Sequence, residues 1–446
     1  MIMTVEQVDL IIVGAGPAGL AAAAEVSRRK GSVVVVDESP APGGRLPSQI
    51  HRAPGRLFSN QAKWSNGQQK AARLFREAIE AGAKVVCGAS VWGVSPGWFV
   101  GVTPTDPFQG KNIFPYGFEA RAVIIATGAG QNPVPLPGWT LPGVITAGAA
   151  QTLINVHQVL PGLRAVVIGI DPLSISVAQL MAAAGVEVQG VFLPPSNALQ
   201  LGPTTPQAAI CELSRISSYA PSFGLSLIGR LAGSISELTA KLFPRDGVKI
   251  CGFPLMLHRT VQAIEGTNHA EQVQIAKLNS NGSPKPGNVE HCQTDVVINS
   301  AGLYPLVELA QVAGCPLVYM ADLGGWVPVH SSRLGTPVSG LFVAGSITGV
   351  EGAPVAEAQG RVAGIAAAQY LGLANGPALE RDLEMHQTTV KTARRAALPF
   401  LPNIKDGRTY MSQYWSKYKK KPRKISTFEK NSMPRGQGRD KSRLEY

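Results

Sequence analysis

The sequence predicts an α/β fold of two related domains, the second inserted in the first. An apolar strand at residues 10–13 runs into a glycine-rich turn, a helix and a second apolar strand. A similar strand, turn and helix recur with the turn glycine 155 residues later, and another apolar strand follows at 340–346. These observations indicate two Rossmann-like (three-layer ββα) dinucleotide-binding domains, plus a basic C-terminal extension. The expected boundaries are 1–150 and 290–375 for the first domain, 151–289 for the insert and 376–446 for the extension.

The first turn has the spacing and the context of a dinucleotide fingerprint. It contains Gly14, Gly16 and Gly19, with Pro17 and Ala18 opening the helix. The first glycine permits the tight turn, the second lets the backbone approach a pyrophosphate and the third permits close helix–strand packing. The N-terminus of a helix attracts phosphate, and Asp37 or Glu38 after the second strand would bind a ribose.

Further segments favour FAD over NAD. The turn Gly43-Gly44-Arg45 follows the second strand, and Ala126-Thr127-Gly128 ends a later one. Gly345-Ser346 follows the late strand, and Gly352-Ala353 opens a helix whose dipole would stabilise negative charge on a flavin. FMN and ATP are the alternative nucleotides.

The second copy of the fingerprint lacks two of its glycines. Gly169 matches Gly14, but the middle and third glycines are replaced by Asp171 and Ser174. Asp171 would repel a pyrophosphate, whereas it suits a helix N-cap with Pro172 at the first helical position. We expect this domain to be a degenerate NAD(P)-binding-like domain.

The chain resembles the FAD-dependent pyridine-nucleotide–disulfide-oxidoreductase-like flavoproteins. It is most similar to the alpha (A) subunits of heteromeric amino- and imino-acid dehydrogenases, a group that includes dye-linked proline dehydrogenase, opine oxidase, hydrogen cyanide synthase and sarcosine oxidase. Besides Gly14–Gly19 and residues 42–44, the resemblance is carried by the segments PGWTLPGV at 137–144, SAGLYP at 300–305, GGWVPV at 324–329 and 346–361.

The resemblance implies an FAD-dependent oxidoreductase acting on CH–NH or CH–NH2 donors as one subunit of a larger enzyme. It further implies an amine substrate, a second flavoprotein subunit of the glycine-oxidase type and a hetero-oligomer. Two departures stand out: no cysteine pair follows the Gly43-Gly44 turn, and Ser346 replaces the aspartate that holds the ribityl chain in this family.

The charge of the chain is concentrated at its C-terminal end. The net charge is +12, and residues 401–446 hold 13 Lys and Arg against 4 Asp and Glu. The aromatic and basic residues between 410 and 424 leave nucleic-acid binding, membrane-surface contact and docking on an acidic partner as alternatives. Docking is favoured and nucleic-acid binding is disfavoured, because the body carries no nucleic-acid motif.

Other features narrow the chemistry. The five cysteines include no C-x-x-C pair, and the histidines have no metal-ligand spacing. An acidic N-terminus does not suit a signal peptide, and no apolar run could span a bilayer, so we expect a cytoplasmic protein. No catalytic residue is assigned: His51 is expected near the flavin, and Glu351 and Glu357 near the late helix, with Glu357 expected on the helix face.

The leading hypothesis is a flavin-dependent alpha subunit that oxidises the carbon–nitrogen bond of an amino, imino or N-alkyl amino acid and passes electrons to an acceptor. One alternative is a nucleotide-binding structural or electron-relay subunit without its own substrate site. A stand-alone NAD(P)H-dependent flavin reductase is disfavoured by Asp171.

Overall fold

The computed structural model describes residues 5–52, 64–106, 116–196, 202–217, 233–250, 252–279, 282–397 and 401–420. Two large mixed sheets dominate it, each with a parallel part that follows one of the two predicted turns. Residues 107–115 and the basic residues from 421 onward lie outside the described residues.

The first sheet has seven strands, of which five are parallel. Its order is β5-β2-β1-β8-β7-β6, and β21 pairs with the end of β8 on the side opposite β1. The strands are β1 Val5–Val13, β2 Val33–Asp37, β5 Lys84–Cys87, β6 Ala89–Ser95, β7 Phe99–Pro104, β8 Gly117–Ile125 and β21 Leu341–Val343. Residues 10–13 of β1 are all buried, as expected for a central parallel strand covered on both faces.

The helices α1 Pro17–Ser27 and α8 Ala353–Tyr370 cover one face of this sheet. They approach closely because both present small residues: a Cβ on Gly360 would lie 2.1 Å from the Ala18 carbonyl oxygen. The helix α2 Gly67–Glu80 packs beside α1, and α9 Pro377–Ala396 places Leu379, Leu383 and Val390 in the same core. Part of the predicted extension therefore belongs to the core of the first domain.

The second sheet repeats this plan. Its order is β10-β17-β11-β12-β14-β15-β16, with β13 paired to β14, and β10, β17, β11, β12 and β14 run parallel. The strands are β10 Val144–Thr146, β11 Arg164–Ile168, β12 Glu187–Leu193, β13 Val248–Ile250, β14 Phe253–Glu265, β15 Gln272–Leu278, β16 Pro284–Gln293 and β17 Val296–Asn299. The helices of this part are α3 Ala147–Asn155, α4 Pro172–Ala183, α5 Pro206–Ser217 and α6 Ser236–Leu242.

The remaining elements form short pairs and the C-terminal helix. The pairs are β3 Ile50–Arg52 with β4 Trp64–Asn66, β9 Ala129–Gln131 with β18 Leu303–Pro305, and β19 Leu317–Met320 with β20 Gly325–Pro328. A short helix α7 Glu308–Val312 precedes β19, and α10 Ile404–Lys420 packs Met411 against the β19–β20 pair.

The α/β prediction with two Rossmann-like sheets is confirmed by this topology. Sheet membership differs from the predicted boundaries of the insert, because β10 begins at Val144 and β17 ends at Asn299, outside 151–289. We propose that the insert spans about residues 143–300.

Three local predictions fall partly outside the described residues. Of the amphipathic helix expected at 227–242, residues 233–234 and α6 are helical with a turn at 235, and residues 227–232 lie outside the described residues. The surface turn expected at 279–287 ends earlier, because β16 begins at Pro284. The loop expected at 194–206 is described at 194–196 and 202–205, and α5 starts at Pro206.

A network of ion pairs joins α1, α2 and α8. Arg361 donates to Glu77 at 2.8 Å and to Glu25 at 3.0 Å, and Arg28 and Arg73 also pair with Glu77. The hydrogen bond from Arg361 lowers the pKa of Glu77 from 4.5 to about 2. The glutamate therefore stays ionised in the folded state at a pH where the unfolded chain takes up the proton.

We expect Glu77→Gln to make the free energy of unfolding less dependent on pH below pH 4.5. The ionised Glu77 stabilises the fold fully above pH 4.5, and this contribution is lost as the pH falls from 4.5 to about 2. Urea unfolding at several pH values in this window measures the slope of the free energy of unfolding against pH. Glu80→Gln, an exposed position of the same helix, is the control and should keep the wild-type slope. An unchanged slope in Glu77→Gln would contradict the assignment.

Candidate nucleotide-binding site

The first glycine turn is shaped by contacts that only glycine permits. Gly14 has φ +107°, and a Cβ there would lie 2.4 Å from the Ala126 carbonyl oxygen. A Cβ on Gly19 would lie 1.8 Å from the Gly14 carbonyl oxygen, so α1 starts in direct backbone contact with the turn. These two glycines let strand β1 turn sharply into the helix.

Gly16 differs, because its open side is not filled by protein. A Cβ on Gly16 would have only the Cα of Gly44 near it, at 4.0 Å. Gly44 has φ +57° and lies in the Gly43-Gly44 turn, which is fixed by a 2.8 Å hydrogen bond from the Gly43 amide to the Ala15 carbonyl oxygen. The structure thus brings the two predicted glycine segments face to face.

The N-terminus of α1 is available to a ligand. Gly16 is its N-cap and makes no side-chain hydrogen bond, and Pro17 lies in the first helical turn. No acidic side chain occupies this first turn, so the amides at Ala18 and Gly19 and the positive end of the helix dipole can serve an anion.

Asp37, at the end of β2, is tied to the same turn. Its Oδ2 accepts a 2.6 Å hydrogen bond from the Ala15 amide, and its Oδ1 accepts one of 2.8 Å from the Ser39 amide. Each carboxylate oxygen has a second lone pair, which leaves Asp37 able to accept ribose hydroxyls. Glu38 is exposed, so of the two candidate acids Asp37 lies in contact with the turn.

The strand end at Ala126-Thr127-Gly128 closes the other side of the turn. The Ala126 amide donates to the Val13 carbonyl oxygen at 2.8 Å, and Thr127 Oγ1 donates to the Leu306 carbonyl oxygen at 2.7 Å. Gly128 has φ +83° with open space at its Cβ position. Arg45 is exposed, and its guanidinium lies beside Gly148 of α3.

The late segment reaches α1 through Gly345. Gly345 has φ +81°, and a Cβ there would lie 2.9 Å from the Cβ of Ala18. The neighbouring Ser346 is half-buried in the 3-10 helix Gly345–Thr348. Gly352, with φ +91°, is the N-cap of α8 and gives it no side-chain cap, so Ala353 opens a second helix with a free N-terminus.

Sequence reasoning missed Gln359, a buried residue of α8. Its Oε1 accepts hydrogen bonds from the Gly345 amide at 2.9 Å and from Thr348 Oγ1 at 3.2 Å. Its Nε2 is buried with no hydrogen-bond partner among the described residues. A polar ligand atom would satisfy this donor. A glutamine inside an alanine-rich helix gave no signal of this role in the sequence.

A second missed feature fixes the loop between Gly345 and α8. Glu351 accepts hydrogen bonds from Arg394 of α9 at 2.7 Å and from Arg408 of α10. Arg408 also donates to the Thr348 carbonyl oxygen at 2.7 Å. Burial lowers the pKa of Arg408 to about 10, which leaves it protonated at neutral pH. We refer to Arg394, Glu351 and Arg408 as the buried triad.

The residues present fit FAD. The open Cβ side of Gly16, the free helix N-termini and the Gln359 donor suit a pyrophosphate and its neighbouring polar groups, and Asp37 suits the ribose. His51 lies in β3, but its side chain lies outside the described residues. Glu357 pairs with Arg73 at 2.9 Å, in agreement with the expected helix-face role.

The second turn repeats the close backbone contact of the first but is filled. A Cβ on Gly169 would lie 2.4 Å from the Ser300 carbonyl oxygen, the same distance as at Gly14. Asp171 caps α4 and accepts hydrogen bonds from the Leu173 and Ser174 amides at 2.8 and 2.9 Å. Its Oδ2 accepts from the Ser174 hydroxyl at 2.8 Å, so the helix amides that would hold a pyrophosphate are already used.

We expect Asp171→Ala to lower the free energy of unfolding by about 1–2 kcal/mol, because it removes an N-cap. Thermal or urea unfolding measures the change. Asp171→Asn is the control, since its amide oxygen can still accept from the helix amides. Equal stability of the alanine variant and the wild type would contradict the capping role.

The described part of the chain shows no arrangement of side chains suited to thiol or metal chemistry. Its cysteines are free, and burial raises the pKa of Cys87 to about 11 and that of Cys315 to about 12. No group of three or more His, Cys, Asp or Glu side chains within the described ranges could hold a metal ion. Among the described helices, none combines the length and apolar character needed to cross a bilayer.

The fold and the glycine-rich site define a flavin-type oxidoreductase. The chain matches the sequence profile of the pyridine nucleotide-disulphide oxidoreductases over residues 8–197, and that of glucose inhibited division protein A over residues 329–374. The first of these matches agrees with the family resemblance predicted from the sequence.

Characterised relatives include components of oxidases and of a synthase. The A subunit of opine oxidase from Agrobacterium tumefaciens is 29% identical over 88% of this chain and 70% of its own length. The HcnB subunit of hydrogen cyanide synthase from Pseudomonas aeruginosa is 26% identical over 86% of this chain and 76% of its own. The alpha subunit of sarcosine oxidase from Rhizobium meliloti is 28% identical over 41% of this chain and 18% of its own.

Solved structures share the fold. L-Proline dehydrogenase from P. horikoshii aligns with a TM-score of 0.57 and 19% identity, covering 85% of this chain and 60% of that one. Thioredoxin reductase from Lactococcus lactis aligns with a TM-score of 0.54 and 16% identity, covering 82% of this chain and 99% of that one. The chain thus spans less than two thirds of the proline dehydrogenase chain.

Proposed function

We propose that this chain is the FAD-binding alpha subunit of a heteromeric dehydrogenase or oxidase. The reaction would oxidise the carbon–nitrogen bond of an amino, imino or N-alkyl amino acid. Removal of two electrons and two protons gives an imine, which water hydrolyses, and FAD supplies the two-electron acceptor.

The contrast between the two turns carries this proposal. The first turn leaves the Cβ side of Gly16 open and its helix uncapped, whereas Asp171 fills the second turn. This contrast supports one bound dinucleotide and argues against an NAD(P)H site in the second domain. The similarity to components of opine oxidase and sarcosine oxidase supports an amine substrate and a role within a larger enzyme.

The pairing of the candidate bases supports a substrate site shared with, or located on, a partner. Glu351 is bound by Arg394 and Arg408, and Glu357 by Arg73 and Arg361. Both carboxylates are thus engaged in ion pairs within the chain and are not turned towards a substrate. The same pairing favours the second candidate, an electron-relay subunit, over a self-sufficient amine oxidase.

Anaerobic flavin reduction tests the proposed function. We expect the flavin of the purified chain to keep its colour with NADH or NADPH, because Asp171 occupies the second turn. Co-expressed with a flavoprotein subunit encoded beside it, the complex should be bleached by at least one of L-proline, sarcosine or an opine. Rapid bleaching by NADPH, or a complex without flavin, would contradict the proposal, and bleaching of the isolated chain by an amine would exclude the relay role.

A further inference from the structure

A cavity of about 480 Å³ lies between the filled second turn and the loop before α8. This volume is in the range of small-molecule sites. Three parts of the chain form its wall: Asp171–Leu173 and α5 from the insert, Leu303 and Val350 from the first domain, and Leu401 with Pro402 from the C-terminal segment.

The cavity adjoins the candidate flavin site. Val350 lies between the 3-10 helix Gly345–Thr348 and the N-cap Gly352 of α8. Leu303 begins β18, which pairs with β9 directly after Gly128. A ligand in the cavity would therefore contact the same two segments that border the predicted flavin.

The charged groups that line the cavity have partners within the chain. Asp171 accepts hydrogen bonds from two amides and from the hydroxyls of Ser174 and Ser300. Glu212 pairs with Arg215 at 2.6 Å, and burial raises the pKa of both Asp171 and Glu212. From the described wall residues, a zwitterionic amino acid or a dinucleotide would gain no unpaired counter-charge in return for its lost hydration.

The remaining wall residues that the structure describes are apolar. They are proline, leucine, valine, alanine and glycine residues together with the thiol of Cys211. Such a wall favours a neutral ring-shaped molecule, which gains free energy from the burial of apolar surface.

We propose that this cavity binds a neutral quinone-class electron acceptor. Its role as acceptor rests on the proposed function, while its binding does not. The two electrons and two protons removed from the carbon–nitrogen bond balance the conversion of one quinone, whose two carbonyl oxygens become hydroxyls, to the quinol.

The first test measures binding to the purified holoprotein with duroquinone, whose ring positions are all methylated and do not add thiols. We expect saturable binding by calorimetry and about tenfold slower alkylation of Cys211 by iodoacetamide at saturating quinone. Cys292, half-buried in β16 and outside the cavity wall, is the internal control and should react at an unchanged rate. Absence of saturable binding, or equal rates with and without quinone at Cys211, would overturn the proposal.

The second test places a large side chain in the cavity by substitution of a residue of α5. Ala208 lines it and its neighbour Gln207 does not, and both residues are exposed. Ala208→Trp should weaken duroquinone binding by about tenfold or more, and Gln207→Trp should leave it within about twofold of the wild type. Equal affinities of the two variants would overturn the location. If Ala208→Trp does not fold, the alkylation rate of Cys211 in the wild type still decides whether the quinone binds in this cavity.

Two further measurements vary the charge of the ligand and determine the flavin content of the protein. A duroquinone analogue with one methyl replaced by a carboxymethyl group should bind about tenfold more weakly, and NADPH should not protect Cys211. Equal binding of the analogue, or protection by NADPH, would overturn the neutral-ligand assignment. Flavin is measured on the same samples: protection of Cys211 in a protein without flavin would overturn the proposed function and leave the binding site standing.

Discussion

Replacing Gly16 with glutamate is expected to abolish FAD binding while leaving the fold intact. Gly16 has φ −75° and ψ −176°, which any residue adopts, and its Cβ position is open. The new carboxylate would enter the space where the pyrophosphate is expected. Two like charges about 4 Å apart at an effective dielectric constant near 20 repel by about 4 kcal/mol, which is about a thousandfold in affinity.

Gly93→Glu is the matched control for this prediction. Gly93 lies in β6 with nothing within 4 Å of its Cβ position, so it accepts the same side chain far from the site. Flavin absorbance of the purified variants and circular dichroism measure cofactor content and fold. We expect FAD to be retained in Gly93→Glu and lost in Gly16→Glu with an unchanged spectrum of the backbone. FAD retained at wild-type affinity in Gly16→Glu would show that the pyrophosphate binds elsewhere.

The second large effect is expected for Glu351→Gln in the buried triad. The substitution removes the carboxylate that Arg394 and Arg408 share, and the Glu351 and Arg408 side chains are only 6% and 11% exposed. Breaking a buried ion pair on one side costs about 3–5 kcal/mol, because the remaining charge stays desolvated. Urea unfolding should show a loss of this size in the free energy of unfolding.

An exposed ion pair provides the control for the triad. Glu237→Gln removes the partner of Lys241 on α6, where both side chains are more than 60% exposed, and should leave stability unchanged. The double variant Glu351→Leu with Arg408→Met removes both charges together. Its free energy of unfolding should therefore fall by less than the sum of the decreases in the two single variants. Additive losses would show that the two residues act independently.

The main outline of the fold could be predicted because its signals are local. Gly14, Gly16 and Gly19 follow a buried strand at fixed spacing, and the structure gives each the conformation or contact that the fingerprint requires. Asp171 could be predicted as an N-cap for the same reason, since capping depends on residues within one turn.

Long-range features could not be predicted in this way. Arg408 lies 57 residues after Glu351 in sequence, and no local pattern relates a basic residue of α10 to a loop before α8. The role of Gln359 depends on the packing of α8 over the Gly345 segment, which only the folded chain defines. The pairing of β10 with β17, on which the proposed extent of the insert rests, joins segments that are far apart in sequence.

The most direct test of the central claim is mass spectrometry of the nucleotide released from the purified, denatured protein. The contrast between an open first turn and a filled second turn predicts about one FAD per chain in the wild type, and none in Gly16→Glu. Release of ATP or FMN in place of FAD, or of NAD(P) together with FAD, would contradict this account.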